Sequence, residues 1–189
     1  NAAPAATEAK MPEANISALN GDYVVDANHS FVNFSIRHFM ARALGSLKVD
    51  SGDVHITDDL KTSSINITLN SNSLNTGIDG RDEKMKGENW LNAAGFPAVT
   101  FKSTGVEEAK EGPYKYVTTG DLSIKGVTKP VTIHFNYLGE KVFPADGNDP
   151  EARLNAFEGE CTFNRLDFGV GKSNPETMGD DIKINFSID

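Results

Sequence analysis

The stretch at residues 76–101, TGIDGRDEKMKGENWLNAAGFPAVTF, decides the predicted fold, because it carries the one helical pattern in a sequence that otherwise alternates like β-structure. Asp79 predicts the N-cap of a helix, and the carboxylates that follow it offset the positive end of the helix dipole. Gly95 predicts the C-terminal cap, and Phe96-Pro97 predicts the stop, because proline cannot continue a helix. The sequence therefore predicts one helix between Asp79 and Gly95.

Three side chains of this predicted helix, Met85, Trp90 and Leu91, form one apolar stripe, which Gly87 weakens in its middle. A single amphipathic helix buries such a stripe only against another apolar surface. We therefore predict that the helix lies over an apolar opening and covers the mouth of a β-barrel as a lid.

The rest of the chain predicts strands, because apolar and polar residues alternate over short segments. Leu47 and Val49 share one parity and Val54 and Ile56 the other, so Gly52 between the two pairs predicts a β-bulge. The predicted strands are 22–26, 30–38, 44–57, 64–70, a segment from 99, 114–125, 127–137, a segment from 157, and 182–188.

Strands with one apolar face, together with a single helix, predict an all-β, antiparallel fold of about eight strands. A two-sheet sandwich is the alternative to a barrel. We favour a barrel with one amphipathic helix closing one end, because closure removes the sheet edges and gives the helix a place to pack.

Composition sets the domain boundary and excludes several partner classes. Residues 1–20 are rich in alanine and proline, which predicts a flexible tail or linker before a single domain at 21–189. The net charge of −9 argues against a nucleic-acid partner and against charge-driven binding to an anionic membrane. Cys161 is the one cysteine, which excludes an intrachain disulfide. No apolar run approaches the length of a transmembrane helix.

Apolar side chains of inward parity predict the lining of the barrel. Small eight-stranded barrels are either packed solid or hold a small ligand, and parity alone leaves both interpretations open. The predicted lining residues of the strands are Phe34, Ile36, Ile67, Leu69, Phe101, Ile124, Val131, Ile133, Phe135, Phe163 and Phe186.

Three polar residues join this set. His38 is the one histidine of inward parity, Arg165 has inward parity at the end of an apolar strand, and Arg81 opens the predicted helix. Each arginine is either part of a structural ion pair or a contact for an anionic or carbonyl head group. Carboxylates that could pair with them are those of Asp82, Asp167 and Asp180.

Catalytic and metal-binding motifs are missing from the sequence. It contains no G-x-S-x-G, H-E-x-x-H or C-x-x-C segment, and strand parity separates the histidines. We therefore predict no catalytic residues and no metal ligands.

Five segments occur in the order found in one protein family. They are YVVDANHSFVNFSIRH from residue 23, RDEKM from 81, FPAVTF from 96, GDLSIKGVTKPVTI from 120 and NRLDFG from 164. Together they resemble the YceI-like family of polyisoprenoid-binding proteins over residues 21–189. The resemblance implies a lipocalin-like antiparallel barrel that holds a prenyl chain in an apolar tunnel, and many members are exported to the periplasm.

With this resemblance we favour a tunnel over a solid core. We predict that the strand residues above, apart from Phe186, bind the ligand together with His38, Arg81, Met85, Trp90, Leu91 and Arg165. The predicted function is to carry or sequester an isoprenoid lipid, such as ubiquinone or a polyprenyl phosphate, without catalysis or a required cofactor.

Two other classes of function stay open at this point. One is a carbohydrate-binding or adhesion module, tethered by the N-terminal linker to a larger exported protein. The other is an enzyme that acts on a bound quinone or lipid. We also expect a periplasmic or secreted location and allow for a homodimer.

Overall fold

The computed structural model describes residues 14–147 and 149–189, and its dominant feature is one antiparallel sheet. The strands follow the alternating segments of the sequence, with one face inside and the other in water. Their bounds are β1 Gly21–Val24, β2 Phe31–His38, β3 Ala41–Ile56, β4 Ser64–Asn70, β5 Ala98–Glu108, β6 Tyr116–Ile124, β7 Val127–Phe143, β8 Ala152–Asn164 and β9 Met178–Ile188.

Strands β2 to β9 form a closed ring of eight. Each strand pairs with its neighbours in the order β3-β2-β9-β8-β7-β6-β5-β4, and β4 pairs back onto β3. The short β1 adds to the far half of β3, where Tyr23 lies opposite Val54. Closure leaves the eight ring strands without an open edge. The predicted antiparallel, about eight-stranded fold is therefore confirmed.

Strand β3 is long enough to pair with three other strands, and it carries the predicted irregularity. Its pairing with β4 shifts by one residue between Val49 and Ser51, just before Gly52. The bulge brings Val49, Val54 and Ile56 to the buried side. The prediction was right about the bulge and its effect, and two residues late in its position.

The predicted helix is wrong in length and in character. Helix α1 spans only Asp79–Lys86, with Ile78 at the N-cap and no side-chain cap, and it ends at Gly87. Glycine is a weak helix former, and no continuous apolar face holds the chain helical beyond it. Trp90 and Leu91 therefore lie in the turns that follow α1, so the predicted amphipathic stripe does not exist as one helical face.

The N-terminal boundary of the domain also lies earlier than predicted. Residues 14–20 pack on the ring instead of forming a linker, and Ile16–Ala18 is a 3₁₀ helix that Asn15 caps. Ile16 is fully buried, and its N–H donates to the Tyr116 hydroxyl at 3.1 Å. The rest of the predicted tail, residues 1–13, lies outside the described residues.

The two ends of the ring differ in what covers them. At one end, the segment at 14–20 fills the interior with Ile16, and we call this the closed end. The other end carries the β2–β3 hairpin, the segment from 71 to 97 that includes α1, and the 3₁₀ helix Arg165–Phe168. We call this the cap end. Arg165 lies in that 3₁₀ helix, not in a strand as predicted, because the strand β8 stops at Asn164.

Candidate ligand-binding cavity

The ring encloses a cavity of about 250 Å³ instead of a fully packed core. Its walls are inward-facing side chains from all eight ring strands, and they are almost wholly apolar. Their polar exceptions are His38, Thr76, Arg81, Thr118 and Arg165. Thr118 contributes little polarity, because its hydroxyl donates to the Gly105 carbonyl at 2.6 Å. The arrangement is that of a container for an apolar molecule.

All of the predicted ligand-binding residues line this cavity. The structure brings together Phe34, Ile36, His38, Ile67, Leu69, Arg81, Met85, Trp90, Leu91, Phe101, Ile124, Val131, Ile133, Phe135, Phe163 and Arg165, with Phe186 beside them. Strand parity found the wall residues because inward and outward side chains alternate along most of each strand. That these residues contact a ligand remains a prediction.

Sequence reasoning missed other wall residues, for two different reasons. Val32, Ile182 and Ile184 also line the cavity and share the parity of predicted neighbours, so the same alternation identifies them. Leu74 and Val170 lie in connecting segments, where no periodicity shows which side chains face inward.

Three phenylalanine rings on the wall lie over glycines of the adjacent strand. A Cβ atom added to Gly45 would lie 2.4 Å from Cζ of Phe34, and one added to Gly159 would lie 2.5 Å from Cζ of Phe186. A Cβ on Gly120 would lie 2.7 Å from Cζ of Phe101. Aromatic rings that cover cross-strand glycines are a known device of β-sheets. Here the glycines let the three rings lie close to the wall.

Part of the cap end is roofed by the segment that follows α1. The Gly171 N–H donates to the Asn89 carbonyl at 2.9 Å, which ties this segment to the loop after the 3₁₀ helix. The guanidinium carbon of Arg165 lies over the ring of Trp90, 5.7 Å from the centroid of that ring. Leu91 also packs against the buried cluster there. The residues predicted to form a helical lid thus form a roof made of turns.

We infer that the cavity opens beside this roof, between α1 and the β2–β3 hairpin, because the exposed residues Phe39, Met40 and Ile78 border its lining there. The side chains that line it here, from His38, Ala43, Arg81, Met85 and Met178, are half-buried. At the closed end, Ile16, Ile56 and Ile188 are buried, while Ile65 and Phe157 are half-buried.

The side chain of Arg165 forms contacts within the protein that hold the cap end together. Its side chain is 1% exposed, and its donors reach the carbonyls of Gly179, Val170 and Lys172 at 2.8–3.1 Å. Its Nη2 also forms a 2.8 Å ion pair with Asp180. Of the carboxylates proposed from the sequence, Asp180 is the partner. The structural interpretation of Arg165 is the one that these contacts support.

Arg81 has no such partner among the described residues. Its Nε donates to the Thr76 hydroxyl at 2.7 Å and its Nη2 to the Thr76 carbonyl at 2.9 Å. Asp82, a predicted ion-pair partner, instead accepts from the Thr76 N–H and hydroxyl. The Arg81 guanidinium thus presents a positive charge and an unused Nη1 at the opening. His38 adds a second polar group there, and its ring packs edge-on against Phe39 at 4.6 Å.

Cys161 is the one nucleophilic thiol of the chain and lies in the wall. Burial raises the pKa of the Cys161 thiol to about 12, so it stays protonated at neutral pH. Within residues 14–147 and 149–189, no three His, Cys, Asp or Glu side chains come close enough to hold a metal ion. In the same part of the chain, every helix is too short or too polar to cross a bilayer.

Comparison with known proteins identifies the family. A family model described as the YceI-like domain matches residues 23–189. The chain belongs to the YceI-like family. Among its relatives, Protein YceI of Salmonella newport is 35% identical over 159 residues, which cover 82% of this chain and 78% of the relative.

Solved structures of YceI-like proteins share the fold. BcnA of Burkholderia cenocepacia superposes with a TM-score of 0.68 at 23% identity and covers 87% of this chain and 98% of its own. A polyisoprenoid-binding domain from Saccharophagus degradans superposes with a TM-score of 0.58 at 15% identity, covering 87% and 95%. At these identities the comparison concerns the fold alone.

Proposed function

We propose that this YceI-like protein binds a long-chain isoprenoid lipid in its cavity and carries or sequesters it. The observation that carries the proposal is the apolar cavity inside a closed ring, filled by Ile16 at one end and open beside Arg81 at the other. The polyisoprenoid-binding domain of Saccharophagus degradans, which has a similar fold, supports the ligand class.

The two regions of the cavity suit the two parts of such a lipid. Each carbon of a prenyl chain that leaves water for the apolar walls contributes up to about 0.8 kcal/mol, although ordering the chain offsets much of that sum. The polar end would lie at the opening, where Arg81 and His38 can donate to a phosphate or quinone oxygen. Polyprenyl phosphates and ubiquinone are therefore the ligands that we propose.

We propose a carrier and not an enzyme. The Cys161 thiol stays protonated, the donors of Arg165 are bound within the protein, and the Arg81 charge lies at the opening, so none is placed as a base or nucleophile. The single tryptophan roofs the cavity and is not displayed on the surface, which disfavours the carbohydrate-binding alternative. A periplasmic or secreted location remains a prediction.

The test adds bulk inside the cavity without adding charge. Phe163→Trp enlarges a wall residue, while Phe143→Trp makes the same change at an exposed position and serves as the control. Native mass spectrometry and organic extraction would identify co-purified lipid, and geranylgeraniol would be titrated into each delipidated protein. We expect Phe163→Trp to stay folded and lose prenyl binding, while the control matches the wild type.

Two results would count against the proposal. One is a protein that takes up no prenyl compound of any chain length. The other is equal binding by both variants, since this would place the ligand outside the ring.

A further inference from the structure

Exposed apolar side chains cluster around the opening of the cavity. Phe39 and Met40 form the tip of the β2–β3 hairpin and are 54% and 102% exposed. Leu44 projects outward from β3, and Ile78 precedes α1; both are more than half exposed. We call these four residues the apolar rim.

The rim is held beside the opening by contacts on both sides. His38 lines the cavity and directly precedes Phe39 in the chain. On the other side, a backbone bond of 2.8 Å from Ser46 to Asn75 holds the segment that leads to Ile78 against β3. The hairpin tip and the segment before α1 are therefore both held next to residues that line the cavity.

Two arginines bracket the tip of the hairpin. Arg37 donates to the carbonyls of Phe39 and Pro175 at 2.9 and 2.5 Å, and Arg42 donates to the Ser35 hydroxyl at 2.8 Å. Among the residues that the structure describes, neither guanidinium has a carboxylate within ion-pair distance. Two fixed positive charges thus flank an exposed phenylalanine and methionine in a chain whose net charge is −9.

We propose that the apolar rim docks the opening onto a lipid bilayer. Phe39, Met40, Leu44 and Ile78 enter the boundary between head groups and acyl chains, and Arg37 and Arg42 contact lipid phosphates. This inference rests on the proposed function, because a prenyl chain then passes between bilayer and cavity without crossing water.

The chemistry of the rim favours a bilayer over a protein partner. Met40 stands free of the rest of the protein, so it forms a protruding wedge and not part of a flat complementary surface. The overall negative charge repels anionic surfaces, so it restricts docking to the face where the arginines lie. This orientation places the opening toward the lipid.

The test compares two double variants of matched chemistry. Phe39→Ser with Met40→Ser removes the tip of the rim, while Val24→Ser with Phe31→Ser removes two exposed apolar side chains far from it. Flotation with phosphatidylcholine vesicles, with and without phosphatidylglycerol, measures binding. We expect the tip variant to bind vesicles at least about tenfold more weakly than the wild type. The control variant should bind as the wild type does. We expect Arg42→Gln to bind vesicles equally well with and without phosphatidylglycerol.

The outcomes separate this inference from the proposed function. Geranylgeraniol binding in vesicle-free solution should be equal in the wild type and both variants, because none of the changed residues lines the cavity. Wild-type protein that binds the prenyl alcohol but no vesicle overturns the docking proposal and leaves the function standing. A tip variant that floats as well as the wild type also overturns it. So does a wild-type protein that binds no vesicles but forms a dimer in sedimentation, if the tip variant does not form that dimer.

Discussion

The two arginines at the cavity differ in how many of their donors the protein itself uses. Arg165 reaches three carbonyls and Asp180, so it has little left to offer a ligand. Arg81 binds only Thr76 and faces the opening. The same residue type therefore has a structural role at one site and is available to a head group at the other.

Replacing Arg165 with methionine should destabilise the fold. The change leaves three carbonyls without their donor, while Asp180 keeps its bond from Ser173. Breaking a buried ion pair costs about 3–5 kcal/mol, and we expect the lower part of this range because Asp180 is 28% exposed. Urea denaturation measures the loss, with Arg165→Lys as a second variant should the first fail to fold. The control is Arg153→Met, which removes exposed ion pairs with Glu140 and Glu151. Similar stabilities of Arg165→Met and the wild type would show that the cap end holds together without this network.

Arg81→Met should change ligand preference and not stability. If Arg81 contacts an anionic head group, its loss lowers the affinity for a prenyl phosphate by about tenfold to a hundredfold. The affinity for the uncharged prenyl alcohol should stay unchanged. Isothermal titration with both ligands makes the measurement, and Lys84→Met, on the exposed side of α1, is the control. Equal losses for phosphate and alcohol would contradict a head-group contact.

At the scale of elements, the loop after the 3₁₀ helix Arg165–Phe168 supports the roof through its shape. Gly169 and Gly171 both have left-handed backbone, with φ of 65° and 70°. A Cβ on Gly171 would lie 2.8 Å from Cζ3 of Trp90 and 2.9 Å from Nη1 of Arg165, whereas a Cβ on Gly169 would meet nothing within 4 Å. The two positions thus share the backbone requirement and differ in the available space.

This difference predicts unequal effects of alanine at the two sites. Gly169→Ala should cost about 1–2 kcal/mol for the left-handed conformation alone. Gly171→Ala adds the steric conflict, typically about 1–3 kcal/mol more, and should shift the emission of Trp90. Urea denaturation followed by fluorescence measures both quantities. Equal stabilities for the two variants would mean that the roof moves away from the loop freely.

The sequence predicted the ring better than it predicted what covers the ends. Alternation locates strands because a ring strand has one wet and one dry face along most of its length. Helix α1 is different, because the pattern between Asp79 and Gly95 joined a short polar helix to a turn. The helix stops at Gly87, and local backbone bonds place Trp90 in the turn that follows. Ile16 lies in a segment of linker composition, and no local pattern shows that it fills the closed end.

At the scale of the whole molecule, one closed end and one opening set a limit on what can be bound. The affinity for prenyl alcohols should rise with chain length while added units find apolar wall. It should level off once the chain reaches Ile16 and further units stay in water. A titration series of increasing length, followed through Trp90 fluorescence, tests this. Affinity that is independent of length, without a response from Trp90, would contradict a one-ended cavity.

The cavity depends on glycines in its wall, because they lie beneath the rings of Phe34, Phe101 and Phe186. A methyl group at Gly45 would meet the ring of Phe34 first, whereas a methyl group at Gly120 or Gly159 would first meet the backbone carbonyl of Lys102 at 2.5 Å or of His134 at 2.4 Å. A change at Gly120 or Gly159 would therefore disturb the pairing of the strands as well as the space inside the ring. The same glycines thus serve both the close pairing of the strands and the volume of the cavity.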